Sequence, residues 1–235
     1  MTFRCEPREW RYSWVPTPDD EAAHASLLAW LRTICAAFLP APVALSTWLK
    51  GNIGEAMAHC VGDRVKETGC HVFCANALDP LSGISKTEID IVWMQIAETP
   101  AADIAVLQEV KTTTDPKLSV VGGLVEDYAK LFGTNVARTL LSRLHAIANE
   151  IEFTGGDTPT AARVRDLAAS RSPSLASRMR LRPTVVHEAS LNPDARLSAV
   201  REDLINLGWN GAAIEGWSIA LGNLDDRIVR LAQGL

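Results

Sequence analysis

At 235 residues, 47% hydrophobic and 22% charged, with a net charge of −5, the chain is long enough to bury a sizeable core and too apolar to be disordered. No apolar run approaches the roughly 20 residues that span a bilayer. "MTFRCEPREWRYSW" carries charges and tryptophans where a secretory signal would be apolar, so a soluble, cytoplasmic protein is expected. Its acidity argues against a generally basic protein that coats nucleic acid.

In chain order, residues 18–38 read as a helix, with acids in the first turn followed by apolar spacing at Leu27, Leu28, Trp30, Leu31, Ile34 and Phe38. Residues 1–45 are accordingly expected to form a helical extension packed on the core, with 46–235 as an α/β domain. A second helix is predicted over 46–67, ending near Gly69. "HVFCA" (71–75) then reads as a short strand. The segments 88–95 and 103–113, "EIDIVWMQ" and "DIAVLQEVKTT", are rich in β-branched residues and read as strands joined by a hairpin loop. Residues 120–152 look largely helical and 160–169 form a short helix. A strand near 181–188, a helix at 194–207, a strand at 213–221 and a helix at 224–233 complete the chain. This order predicts an α/β fold with a central mixed β-sheet flanked by helices on both faces.

The five cysteines include Cys60, Cys70 and Cys74, with no C-x-x-C spacing. Flanking His59 and His71 leave a zinc site open, against the plainer reading of reduced, half-buried thiols. Residues 138–182 hold eight arginines (138, 143, 163, 165, 171, 178, 180 and 182) against four acids. That stretch is either a phosphate-binding footprint or a solvated helix face and loop. Arg4, Arg8 and Arg11 lie near tryptophans and could add to such a footprint.

Alternation along a strand puts Glu109 and Lys111 on one face, and puts Glu88 and Asp90 on one face of the preceding strand. Hairpin pairing brings Asp90 and Glu109 to the same end of the sheet. Adjacent carboxylates disfavour joint ionisation unless a cation lies between them, and a hard divalent ion such as magnesium resolves that conflict. Competing readings are a same-strand surface pair for Glu109 and Lys111, a turn cap for Asp90, and a helix cap for Glu55, with Asn52 at the N-cap and Glu55 three residues on. Lys50, Tyr128 and Lys130 lie in segments that reach toward the site, with helical surface as their plainer fate. Gln108 should face away and pack under a helix or find a polar partner.

"EIDIVW" followed by "VLQEVKTT" resembles the core motif of the PD-(D/E)xK nuclease superfamily, and "GNIGEAMAHC" is similar to the glycine–glutamate helix that precedes the sheet in many members. The resemblance spans about 46–135. Ile89 stands where the superfamily's name has proline, and Gln108 where an apolar residue is usual. The resemblance implies a restriction-endonuclease-like αβββαβ core and a metal-dependent nuclease, acting on DNA rather than RNA, with a role in phage defence or restriction. It implies Mg2+ or Mn2+ held by Asp90, Glu109, the Val110 carbonyl and Glu55, with Lys111 attending the attacking water. Partners would be nucleic acid and either a second copy of the chain or a partner protein of a defence system. The alternative is a subunit that keeps the fold and binds nucleic acid or assembles with a partner without cleaving.

Overall fold

In this computed structural model, residues 2–8, 11–17, 47–64, 71–76, 89–130, 134–169 and 177–232 are described. The chain runs β1 (Thr2–Arg8), β2 (Arg11–Thr17), α1 (Thr47–Arg64), β3 (His71–Asn76), β4 (Ile91–Ile96), β5 (Ile104–Thr113), α2 (Gly123–Ala129) and α3 (Thr134–Gly155). It continues through α4 (Thr158–Ala169), β6 (Met179–Glu188), α5 (Asp194–Asn206), β7 (Gly216–Leu221) and α6 (Leu224–Ala232). The strands form one mixed sheet in the order β1-β2-β7-β6-β5-β4-β3. β3, β4 and β5 make an antiparallel meander, whereas β6 runs parallel to β5 and β7 parallel to β6. Parallel neighbours need crossover connections, and α3 with α4 and α5 occupy those two links. The fold is α/β.

Burial explains why β4 reads as an apolar run instead of an alternating one: all six of its residues are buried. On one face, Val92, Met94, Leu107 and Leu181 pack in a single core with Leu124 and Tyr128 of α2, Leu144, Ile147 and Ile151 of α3, and Leu197 and Leu204 of α5. The helical members recur at three- and four-residue steps, as one apolar stripe requires. The other face receives α1, which buries Ile53, Met57 and Val61 at four-residue spacing and packs on β5 and β6.

Two glycines let α1 lie flat on the sheet. A Cβ on Gly54 would stand 1.7 Å from Thr112 Oγ1, and one on Gly62 would stand 2.2 Å from the Trp93 ring. Trp93 cannot easily yield, because it is 2% exposed and its Nε1–H donates to Gln108 Oε1 at 2.7 Å. Gln108 in turn donates to Thr184 Oγ1 at 2.9 Å, so this fully buried amide has the polar partners expected of it under a helix. His59 also stacks on Trp93, with ring centroids 5.2 Å apart.

The structure differs from the sequence reading at three places. Residues 2–8 and 11–17, expected within a helical extension, are an antiparallel hairpin added to the sheet through β2 and β7. Pro7 fits there because β1 is an outer edge, and Pro16 lies beyond the stretch Arg11–Trp14 that pairs with β7. The helix expected at 18–38 lies outside the described residues. The long helix expected over 120–152 is divided: a 3-10 turn at Ser119–Gly122 follows Leu118, which sits at φ 52, and α2 and α3 are separate. Gly122, Gly123 and Gly133 lower helix propensity around those breaks. Finally, α1 begins at Thr47, so Asn52 and Glu55 lie in the helix interior and do not form its cap. No helix among the described residues is long and apolar enough to cross a membrane.

Gly62→Ala should lower stability by about 1–3 kcal/mol through overpacking, measured by urea denaturation. An unchanged midpoint would mean that α1 does not bear on Trp93 in this way.

Candidate functional site

The β4–β5 register, Ile91 opposite Gln108, carries the two chains on to Asp90 opposite Glu109. Asp90 lies in a bend just before β4 and not on the strand, as the sequence reading had it. It still reaches β5: the Val110 N–H donates to Asp90 Oδ2 at 2.8 Å, and the Asp90 N–H approaches Glu109 Oε2 at 3.4 Å. Glu88 lies outside the described residues.

Glu109 is only 3% exposed, and its backbone is fixed by a residue from α2. The Tyr128 hydroxyl accepts from the Glu109 N–H at 3.1 Å and donates to the Leu107 carbonyl at 3.0 Å. Tyr128 is fully buried, so it is a structural pin and not helical surface. The burial that removes its phenol from water, reinforced by Glu109, pushes its pKa well up.

Lys111, two residues along the strand and on the same face, donates to Glu109 Oε1 at 3.0 Å and to Asp127 Oδ2 at 2.5 Å. Asp127 is the site member that the sequence reading missed. Its other oxygen accepts from Lys130, which is exposed and three residues along the chain. An isolated aspartate in a helical stretch has no spacing signal, and only the packing of α2 against β5 brings it to Lys111. Lys50 points elsewhere, to Asp225 Oδ1 at 2.7 Å and Thr114 Oγ1 at 3.0 Å.

The charges interact strongly. Burial, then the negative charge of Glu55, raises Asp90 to about 7, although the Val110 N–H and Lys111 pull it down. Burial and the Asp90 charge hold Glu109 well above the ordinary glutamate range. For Lys111 burial works downward, but Glu109 and Asp127 prevail and its pKa is raised. Asp127 is raised by burial and lowered further by hydrogen bonds from Lys111 and Lys130, with a net downward shift. Glu55, on α1, therefore acts on Asp90 as a like charge. Among the described residues no group of three or more His, Cys, Asp or Glu stands close enough to hold an ion by side chains alone.

Of the arginines in 138–182, read as either a footprint or a solvated helix face and loop, those with described side chains largely serve the fold. Arg143 is buried and donates to the Ile89 carbonyl, tying α3 to the residue before Asp90. Arg163 clamps Asp103, which is fully buried, with Nη2 2.5 Å from Oδ1, and also reaches the Ala97 carbonyl. Arg178 donates to the carbonyls of Asp103 and Pro100, and Arg165 pairs with Glu152 and Asn149. Arg182 lies 4.1 Å over the Trp217 ring and 3.2 Å from Glu215. Arg138 and Arg171 fall outside the described side chains, as do Arg4, Arg8 and Arg11 and the zinc candidates Cys60, Cys70, His71 and Cys74. The chain matches no protein-family model, and no curated protein matches it.

Asp90→Asn keeps an acceptor for the Val110 N–H and removes a buried charge. With chelator present, it should leave stability nearly unchanged below about pH 3, where the carboxyl is protonated both folded and unfolded. Between there and pH 7 the folded wild type holds its proton more tightly, so wild-type stability falls with rising pH. The variant should be more stable by on the order of 2–4 kcal/mol at pH 8. A pH-independent difference in urea denaturation would contradict this. Tyr128→Phe should cost about 1–3 kcal/mol by orphaning the Glu109 N–H and Leu107 carbonyl, checked the same way.

Proposed function

We propose that the chain is a metal-dependent nuclease hydrolysing phosphodiester bonds. The single observation that carries this reading is the meeting of Asp90 and Glu109 at one end of the sheet, with the ammonium of Lys111 3.0 Å from Glu109. Support from the fold is the order α1, β3, β4, β5, α3, β6, which suits a restriction-endonuclease-like αβββαβ core.

The residues fit a hard cation. Two buried carboxylates, each pushed toward its protonated form by burial and by a neighbouring negative charge, are relieved by positive charge between them. Their donors are all oxygen, as magnesium and manganese prefer. Asp90, Glu109 and the Val110 carbonyl would hold the ion, with water and substrate phosphate completing its shell and Glu55 acting through water. The ion would polarise a phosphoryl oxygen and lower the pKa of a water. Lys111 supplies fixed positive charge where negative charge grows in the transition state. With Glu109 buried and Lys111 held between Glu109 and Asp127, these groups are in place before charge develops.

Nucleic acid is the substrate class. The test is incubation of wild type and Lys111→Ala with magnesium or manganese and linear, circular, single- and double-stranded DNA and RNA. Cleavage by wild type, reduced roughly 10²–10³-fold in the variant, is the expected result, and the panel separates DNA from RNA. A wild type that neither cleaves nor binds divalent metal by calorimetry would overturn the nuclease reading. Metal binding without cleavage in any combination would favour the non-cleaving subunit.

A further inference from the structure

Resting on the nuclease reading, we propose that Asp127 is a positioning residue: it fixes the Lys111 ammonium over the site when Glu109 is committed to a metal ion.

Lys111 has two carboxylate partners, Glu109 at 3.0 Å and Asp127 at 2.5 Å. An ion bound by Glu109 competes with Lys111 for that carboxylate, leaving Asp127 as the anion that holds the ammonium. Asp127 is well suited to the task. It immediately precedes Tyr128, whose hydroxyl is bonded to the backbone of the strand that carries both Glu109 and Lys111. The side chain and its target are thus mounted on one rigid unit. Lys130 engages the other oxygen of Asp127, which restrains rotation of the carboxylate. Gly123, at the start of α2, closes on the lysine stem: an added Cβ there would stand 3.4 Å from Lys111 Cε. The helix therefore confines the stem at one end and the charged tip at the other. A displacement of about 1 Å in such a group costs up to 10²-fold in rate.

The test uses Asp127→Asn and Asp127→Glu in the full chain, with two readouts. The first is the NMR order parameter of the Lys111 Cε methylene in protein carrying labelled lysine, measured with saturating magnesium so that Glu109 is committed to the ion. With six lysines in the chain, Lys111→Ala assigns the signal. The second is magnesium-dependent cleavage of whichever substrate the wild type cuts, resolved into kcat and KM. Asp127→Asn should lower the order parameter and reduce kcat about 10–100-fold, with KM and magnesium affinity within about threefold of wild type. Asp127→Glu should recover part of both. A general loss of folding would move KM, metal affinity and thermal midpoint together and would overturn the positioning role, as would an unchanged order parameter or a wild-type kcat in Asp127→Asn. Should wild type cut nothing, the nuclease reading fails by itself, and the order parameter decides whether Asp127 fixes Lys111.

Discussion

Holding two carboxylates against each other away from water is unfavourable, and much of the local structure follows from offsetting that cost. The Val110 N–H is given to Asp90, Lys111 is given to Glu109, and Asp127 shares the lysine. Tyr128 fixes the backbone between Leu107 and Glu109 from the opposite side. A core of isosteric apolar residues would be easier to assemble at this end of the sheet. The repulsion between Asp90 and Glu109, with Glu55 adding to it, is the feature on which the proposed cation site rests.

The cations sort by neighbourhood. Those that reach a carboxylate, a backbone carbonyl or an aromatic ring within the fold, such as Arg143, Arg163 and Arg182, are elements of the fold. Asp103 illustrates why: its side chain is fully buried, and a guanidinium with planar, paired donors satisfies it better than water could at that depth. Among the described side chains, most arginines of 138–182 thus find partners within the molecule. Lys111 differs because its two anionic partners belong to the site itself.

Legibility of the sequence followed the range of the interactions. β4 and β5 were readable because β-branched composition and hairpin spacing are local, and the face shared by Glu109 and Lys111 follows from strand alternation alone. Register then brought Asp90 and Glu109 together even though Asp90 lies in a bend ahead of the strand. Gln108, read as facing away toward a helix or a polar partner, lies between Trp93 and Thr184. Asp127 was not readable, and Tyr128 was readable only as a residue in a segment that reaches toward the site, since a single acid and a single tyrosine acquire their roles only when α2 docks on β5. Cation counting left two readings open for the arginines, because a count does not register which carboxylates, carbonyls or aromatic rings lie nearby in space. The N-terminal strands were missed for the same reason: their partner β7 comes near the other end of the chain, and their own sequence mixes charge, proline and aromatic residues without clean alternation.

That pairing has a consequence for how the molecule is made. Arg11 to Trp14 align with Gly216 to Ile219, so β1 and β2, synthesised about 200 residues before β7, have no place in the sheet until β7 has left the ribosome. Throughout synthesis the hairpin is a short two-stranded ribbon, a form marginally stable by itself. β7, once seated on β6, offers an edge that β2 must cover before another chain does. Assembly is therefore closed by a contact of very high sequence separation, and its slowest docking step should be this one.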